Sequence, residues 1–150
     1  MRDRLQQDMR AALRAQDKAR LGALRLISAA LQEREIALRT NKLSEAETLA
    51  TLQRMLKQRR EAAAVYAKAG RADLARQETL EIAVIEEFLP KQMSAEEVER
   101  AITGIIKDVG ASSPRELGKV MAALKERYAG QMDFGQASGQ VKALLQGGAA

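Results

Sequence analysis

The side chains of this chain that could do chemistry are lysines, arginines and carboxylates. Cysteine and histidine are absent from its 150 residues, which excludes thiol nucleophiles, disulfides, ordinary zinc sites and histidine general bases. Neighbouring carboxylates such as Glu86 and Glu87 point in different directions on a helix, so they do not form an acid–base pair. Ser113 has no motif lysine upstream and no glycine-rich oxyanion loop around it. We therefore expect no catalytic residue, no metal and no cofactor, and no enzymatic activity of the protein by itself.

Basic residues form two clusters that could bind an anionic partner. The tail cluster, in the C-terminal third, comprises Lys119, Lys125, Arg127 and Lys142, together with Gly118 near the helix start. The hairpin cluster, a possible second basic surface, comprises Lys57, Arg59, Arg60, Lys68 and Arg71. Each phosphate that such a side chain neutralises releases counterions and adds salt-dependent affinity. Intrahelical pairing, as between Lys57 and Glu61, is the competing interpretation of the hairpin cluster.

Composition favours an all-helical protein whose charges are mostly balanced. The formal net charge is +5, from 25 basic and 20 acidic residues, and aromatic residues make up only 3% of the chain. Few aromatics and many strong helix formers favour helices over strands. Since no apolar segment approaches the length needed to span a membrane, we expect a cytoplasmic protein.

Helix start and stop signals divide the chain into successive helices. The predicted starts are at Asp17, at a Ser44–Glu47 capping box, at Asp73, at a Ser94–Glu97 capping box, at Ser113-Pro114-Arg115-Glu116 and at Asp133. Gly70 is the predicted turn of a long antiparallel helix hairpin. The apolar stripes are predicted to include Leu13, Leu38 and Leu144 on their inward faces.

Two further positions carry specific expectations. Arg25 lies between apolar residues, and its planar guanidinium is predicted to pair with an acidic side chain of another helix. Gly135 and Gly139 have the spacing of a small-xxx-small contact, for which we expect tight packing within the chain. The alternative for these glycines is that a ligand approaches the helix backbone closely.

Pro90 interrupts the helical pattern, because proline disfavours helix in the residue before it. This break predicts two domains, residues 1–92 and residues 93–150. The expected architecture is an elongated N-terminal helical bundle with the long hairpin, followed by a compact C-terminal three-helix tail.

Several linked motifs, in order, resemble the YqeY proteins of the GatB/YqeY family. They are Lys57-Gln58-Arg59-Arg60-Glu61, Lys68-Ala69-Gly70-Arg71, Leu89-Pro90-x-Gln92-Met93-Ser94, Gly118-Lys119-Val120-Met121 and Val141-Lys142. Together with the intervening matches they cover essentially the whole chain, and the linked set is far more specific than any single motif.

The family is similar to the helical and tail region of the B subunit of the glutamine-dependent aspartyl/glutamyl-tRNA amidotransferase, where the corresponding domain contacts the tRNA body. The resemblance therefore implies tRNA-backbone contacts by Gly118, Lys119 and Lys142, whereas Lys125 and Arg127 are inferred from charge and helix position. The catalytic parts of that carbon–nitrogen ligase, with its glutamine amide donor, are absent here, so the ligase activity describes the related complex.

These observations lead to a non-catalytic tRNA-binding or tRNA-associated accessory module as the first functional hypothesis. Its expected partners are tRNA and a protein of tRNA metabolism, without a membrane, and the chain is expected to be a monomer. A helical protein–protein interaction module with no RNA binding is the alternative. An amidotransferase component with its own activity is a third hypothesis, which ammonia release from glutamine would test.

Overall fold

The computed structural model describes residues 1–147, and the described chain folds into α-helices joined by short turns. The helices are α1 (Arg2–Arg14), α2 (Lys18–Ala37), α3 (Glu45–Lys68), α4 (Ala72–Glu86), α5 (Ala95–Val109), α6 (Leu117–Arg127) and α7 (Phe134–Gly147), with a 3₁₀ turn at Pro114–Glu116 before α6. No strand occurs within residues 1–147. The predicted all-α fold class is confirmed.

Side-chain caps begin several helices where the sequence places them. Asp17 Oδ1 accepts from the Arg20 N–H at 3.0 Å. Ser94 and Glu97 form both halves of a capping box, with each side chain accepting from the other residue's N–H at 3.1 Å. These interactions satisfy N–H groups that have no partner inside the helix. Short-range caps of this kind depend on neighbouring residues alone.

Two predicted starts differ in detail from the observed ones. Helix α4 begins at Ala72, so Asp73 lies in its first turn, where the Arg71 guanidinium pairs with it at 3.4 Å. After Ser113 the chain first makes the 3₁₀ turn, and α6 begins at Leu117. The Glu116 carboxylate accepts from the backbone N–H groups of Ser112 and Ser113, which tightens this turn.

Residues Met1–Pro90 form one compact unit around a single aliphatic core. Helices α3 and α4 pack against each other as an antiparallel hairpin, and Gly70 at its turn has a positive φ of 73° that favours glycine. The most deeply buried side chains of this unit are Leu24, Ile27, Leu52, Leu56 and Ile85. Phe88 and Leu89 close the same core just before Pro90.

A second unit begins at Lys91 and has its own core. Helices α5, α6 and α7 bury Ile102, Ile105, Val120, Leu124, Val141 and Leu145 together. The segment before α5 is held to this unit by the Gln92 side chain, which donates to the Gly130 carbonyl at 2.7 Å. The Met93 N–H donates to the Gln131 carbonyl at 2.9 Å.

Three leucines predicted to face inward are exposed instead. Leu13, Leu38 and Leu144 expose 61%, 42% and 44% of their surface. Leu38 is the C-cap of α2, one residue beyond the end of that helix. Leu145 is buried, and Leu144 lies about 100° away from it around the helix. The stripe of α7 therefore accommodates only one of these two adjacent leucines.

Candidate nucleic-acid interface

Lys119 is held against the C-terminal end of α5. Its Nζ donates to the Val109 carbonyl at 3.1 Å, one of the last carbonyls of α5, which have no partner inside that helix. A cation at this position also interacts favourably with the helix dipole. Lys119, which the resemblance assigns to RNA contact, thus has a structural interaction within the second unit.

Arg127 also interacts with the end of α5. Its guanidinium pairs with the Asp108 carboxylate at 3.0 Å, and both side chains are about half exposed. Exposed ion pairs of this kind contribute at most about 1 kcal/mol. The positive charge of Arg127 is partly neutralised by Asp108.

Lys125 points to a different side of α6 from Lys119. Six residues separate the two lysines, which corresponds to about 240° around the helix. Lys125 instead shares a face with Gly118, seven residues earlier, and both residues are exposed. A Cβ built on Gly118 would meet no atom within 4 Å. Among the described residues no carboxylate pairs with Lys125.

Helix α7 presents a similar exposed face. Gly135, Gly139 and Lys142 are exposed on it, and a Cβ built on Gly139 would meet nothing within 4 Å. The predicted tight packing of these glycines within the chain is therefore wrong, because α7 turns Ala137, Val141 and Leu145 to the core. Lys142, like Lys125, has no acidic partner within residues 1–147.

The N-termini of the tail helices are occupied by the protein's own carboxylates. Backbone hydrogen bonds from Ser112 and Ser113 lower the pKa of Glu116, and those from Ser94 lower the pKa of Glu97. Asp133 Oδ1 accepts from the Gly135 N–H at 2.9 Å at the start of α7. These hydrogen bonds occupy part of the N–H groups at the helix starts, and the lysine side chains carry the full positive charge that a phosphate would bind.

The hairpin cluster is largely paired within the first unit. The Arg59 guanidinium lies 3.3 Å from a Glu81 oxygen and 3.6 Å from a Glu78 oxygen. Arg60 pairs with Glu86 at 3.1 Å. Arg71 pairs with Asp73, and the remaining cluster residues, Lys57 and Lys68, are exposed on α3. Ion pairs thus engage at least three of the five cations of this cluster, and those of Arg59 and Arg60 join α3 to α4.

Glu81 is a buried carboxylate that the sequence pattern did not identify. Only 8% of its surface is exposed. Burial raises the pKa of Glu81, the nearby Glu78 raises it further, and Arg59 opposes both effects. The sequence signal was the i, i+3 spacing of Glu78 and Glu81, which places both carboxylates on one face of α4.

A groove of about 880 Å³ opens beside the start of α3 in the first unit. Its polar lining comes from Arg4, Lys42, Ser44, Glu45 and Thr48, and Arg4 lies 4.4 Å from the ring centre of Phe88. One carboxylate in this lining does not make an acid–base pair. Within residues 1–147 no group of acidic residues is arranged to hold a metal ion.

No helix within residues 1–147 combines the length and apolar character needed to cross a bilayer.

A family model and a yeast protein match this chain over most of its length. A family model described as Yqey-like protein matches residues 2–145. The protein named "Altered inheritance of mitochondria protein 41, mitochondrial", from Kluyveromyces lactis, is 28% identical over 142 residues. That match covers 93% of the present chain and 72% of the yeast protein.

Proposed function

The chain belongs to the YqeY-like protein family, and from this premise we propose that it is a non-catalytic module that binds tRNA or acts beside it. One observation carries the proposal. Lys125 and Lys142 are exposed cations without acidic partners in the described chain, and each shares a helix face with an exposed glycine. Such a face offers positive charge without bulky side chains around it.

The tail would recognise the RNA backbone rather than its bases. A lysine ammonium binds phosphate as a compact charge. The small residues beside it let the RNA sugar–phosphate backbone approach the helix. Tyr128 and Phe134 pack against the core of the second unit, so they are not exposed platforms for stacking bases. Binding through few phosphates predicts modest affinity with a shallow salt dependence.

The link to a glutamine-dependent tRNA amidotransferase is part of the same proposal and concerns association only. The chain would act as an accessory to tRNA metabolism and would not supply glutaminase or ligase chemistry. We propose the cytoplasm as its compartment. The name of the yeast relative assigns that protein to mitochondria, which makes an organelle the alternative location.

The proposal is tested by titrating tRNA and a length-matched duplex RNA into the protein at low and physiological salt. We expect preferential tRNA binding by the parent, and a loss of about tenfold or more for the Lys125→Glu/Lys142→Glu variant at low salt. The salt slope should fall by about one for each lysine replaced.

A matched control variant is Lys18→Glu/Lys91→Glu, which makes the same change in net charge at two exposed lysines outside both clusters. At physiological salt it should bind tRNA within about threefold of the parent, since a Debye length of about 8 Å then screens the field of distant surface charges. Equal tRNA affinities for the parent and the Lys125/Lys142 variant would refute the proposed surface.

A second candidate function is a helical module that binds a protein through the α3–α4 hairpin. The hairpin exposes two large apolar side chains that a protein partner would cover, Val65 at 65% and Leu80 at 41%. This alternative predicts no RNA binding, and capture of a protein partner that is lost on substitution near Arg60 and Lys68. Enrichment of tRNA without any protein would count against it.

A further inference from the structure

Helix α2 has a second exposed stripe, separate from the face that it buries in the first unit. Its inward residues include Leu21, Leu24, Ile27 and Leu31, all buried. The outer stripe comprises Gly22, Arg25, Leu26, Ala29, Gln32, Glu33 and Ile36, all exposed. Leu26 exposes 41% and Ile36 76% of its surface. The helix therefore carries large apolar side chains on a face that the first unit leaves uncovered.

The charges on the outer stripe are not used within the described chain. Arg25 was predicted to pair with an acidic residue of another helix, yet it is exposed and no described residue pairs with it. Glu33 is equally exposed, and residues 1–147 supply it with no cation. The stripe therefore presents one cation and one carboxylate beside its apolar residues.

The charged residues of the outer stripe and the residues at its two ends are complementary when the stripe is reversed. Arg25 and Glu33 lie four residues on either side of Ala29, and Gly22 and Ile36 lie seven residues on either side. An antiparallel pair of α2 helices with a twofold axis at Ala29 brings each Arg25 to the level of Glu33 of the second copy. A parallel pair would instead place like charges at the same level.

We propose that the outer stripe of α2 binds the same stripe of a second copy of this chain, antiparallel and with twofold symmetry. Ala29 at the axis lets the two helix backbones approach closely. The larger Ile36 side chain then lies over Gly22 of the second copy, where a Cβ would meet no atom within 4 Å. The Arg25–Glu33 pair forms twice, as an isologous contact requires.

The expected association is weak. From Gly22 to Ile36 the stripe is about 21 Å long, and one helix face of this length buries less than the roughly 800 Å² per partner typical of stable complexes. We expect a dissociation constant on the order of micromolar or weaker, as for other small, transient interfaces. The dimer should therefore appear only as the protein is concentrated.

Sedimentation equilibrium of the full chain without RNA, from about 1 µM to about 500 µM, tests the proposal across the expected affinity range. The parent should dimerise, and Arg25→Glu and Glu33→Arg should each weaken the dimer about tenfold or more through like-charge contacts. Mixing these two variants should restore association, because every antiparallel contact then joins opposite charges. Arg10→Glu, an exposed substitution on α1, should leave dimerisation unchanged.

A monomeric parent throughout this concentration range would overturn the proposal. A parent dimer that neither charge variant weakens, or variants that fail to associate when mixed, would overturn the antiparallel arrangement. Circular dichroism of each variant verifies folding, which the exposed positions leave intact.

Cysteine cross-linking tests the same contact at the twofold axis. The chain contains no cysteine, so Ala29→Cys introduces a single thiol in each copy. Cα atoms about 4.4–6.8 Å apart allow a disulfide, and mild oxidation should therefore link Ala29→Cys copies about tenfold faster than Ala64→Cys copies. Ala64 is an exposed alanine of α3. Equal cross-linking of the two variants would overturn the contact.

Discussion

Arg59 joins the two long helices of the hairpin through charge. It lies within 3.6 Å of Glu78 and Glu81, which are both largely buried on α4. Removing one partner of a buried pair leaves the other charge without compensation. The main role of Arg59 is therefore to compensate the two carboxylates, which would otherwise face each other without a cation.

Replacing Arg59 with leucine should destabilise the first unit. We expect a loss of about 1–3 kcal/mol in the free energy of unfolding, because the buried carboxylates lose their cation. Urea unfolding at neutral pH measures the loss. Arg60→Leu is the control, since its exposed pair with Glu86 should be worth at most about 1 kcal/mol. Equal losses for both variants would contradict the structural role of Arg59.

Glu81 makes stability depend on pH in a defined direction. Its pKa is raised by burial above the ordinary value of 4.5, so the folded protein binds this proton more tightly than the unfolded chain. The resulting stabilisation is complete below about pH 4.5 and is lost as the pH rises through the folded pKa. The free energy of unfolding of Glu81→Gln, relative to that of the parent, should therefore be higher at pH 7 than at pH 4.

Unfolding free energies of the parent and Glu81→Gln at both pH values provide the measurement, and their difference cancels the titration of other groups. The carboxylate of Glu87, which pairs with Arg20, has a lowered pKa and should show the opposite trend in Glu87→Gln. A parent–variant difference that does not change with pH would contradict the burial of ionised Glu81.

The C-terminal end of α5 is stabilised by Lys119, a side chain of α6. Lys119→Met keeps most of the side-chain length but removes the hydrogen bond to the Val109 carbonyl. We expect a loss of about 0.5–1.5 kcal/mol for this bond, measured by thermal unfolding. Lys125→Met is the control and should stay within about 0.5 kcal/mol of the parent, as surface substitutions do. If both variants unfold together with the parent, Lys119 has no structural role.

Helix starts were predictable from the sequence because their determinants are local. Asp17, Ser94 and Asp133 accept hydrogen bonds from N–H groups two or three residues later, and a short motif contains both partners. After Ser113 the chain makes a 3₁₀ turn instead of starting an α-helix. This difference from the prediction is also local, since the Glu116 carboxylate accepts from the Ser113 N–H within the turn.

The environment of the candidate site was less predictable, because the partners are distant in sequence. The pattern identified the basic residues of both clusters, but the Asp108 partner of Arg127 lies 19 residues away, and the Glu86 partner of Arg60 lies 26 residues away. Periodicity gives the face of a helix and leaves open which helix packs beside it. The exposed glycines of α7 required the same tertiary information.

In the whole molecule, the hydrophobic residues are distributed over two separate cores. One core draws only on residues before Pro90 and the other only on residues after Lys91. The proposed RNA-binding faces belong to α6 and α7, and the proposed self-association stripe belongs to α2. The two proposed functions therefore depend on different units and can be lost independently.

Separate cores predict that each unit folds when expressed alone. Residues 1–90 and residues 91–150 should each unfold cooperatively, and their circular dichroism spectra should add up to that of the full chain. The smaller fragment should be less stable, because a domain of roughly 60 residues buries only about 60% of its unfolded surface.

A division after residue 79, inside α4, is the control, since it separates Leu52 and Leu56 from Ile85 and should leave the first fragment unfolded. If residues 91–150 fail to fold while the full chain shows one transition, the two cores are energetically one domain. If they fold and bind tRNA with the salt dependence of the full chain, the tail alone carries the proposed activity.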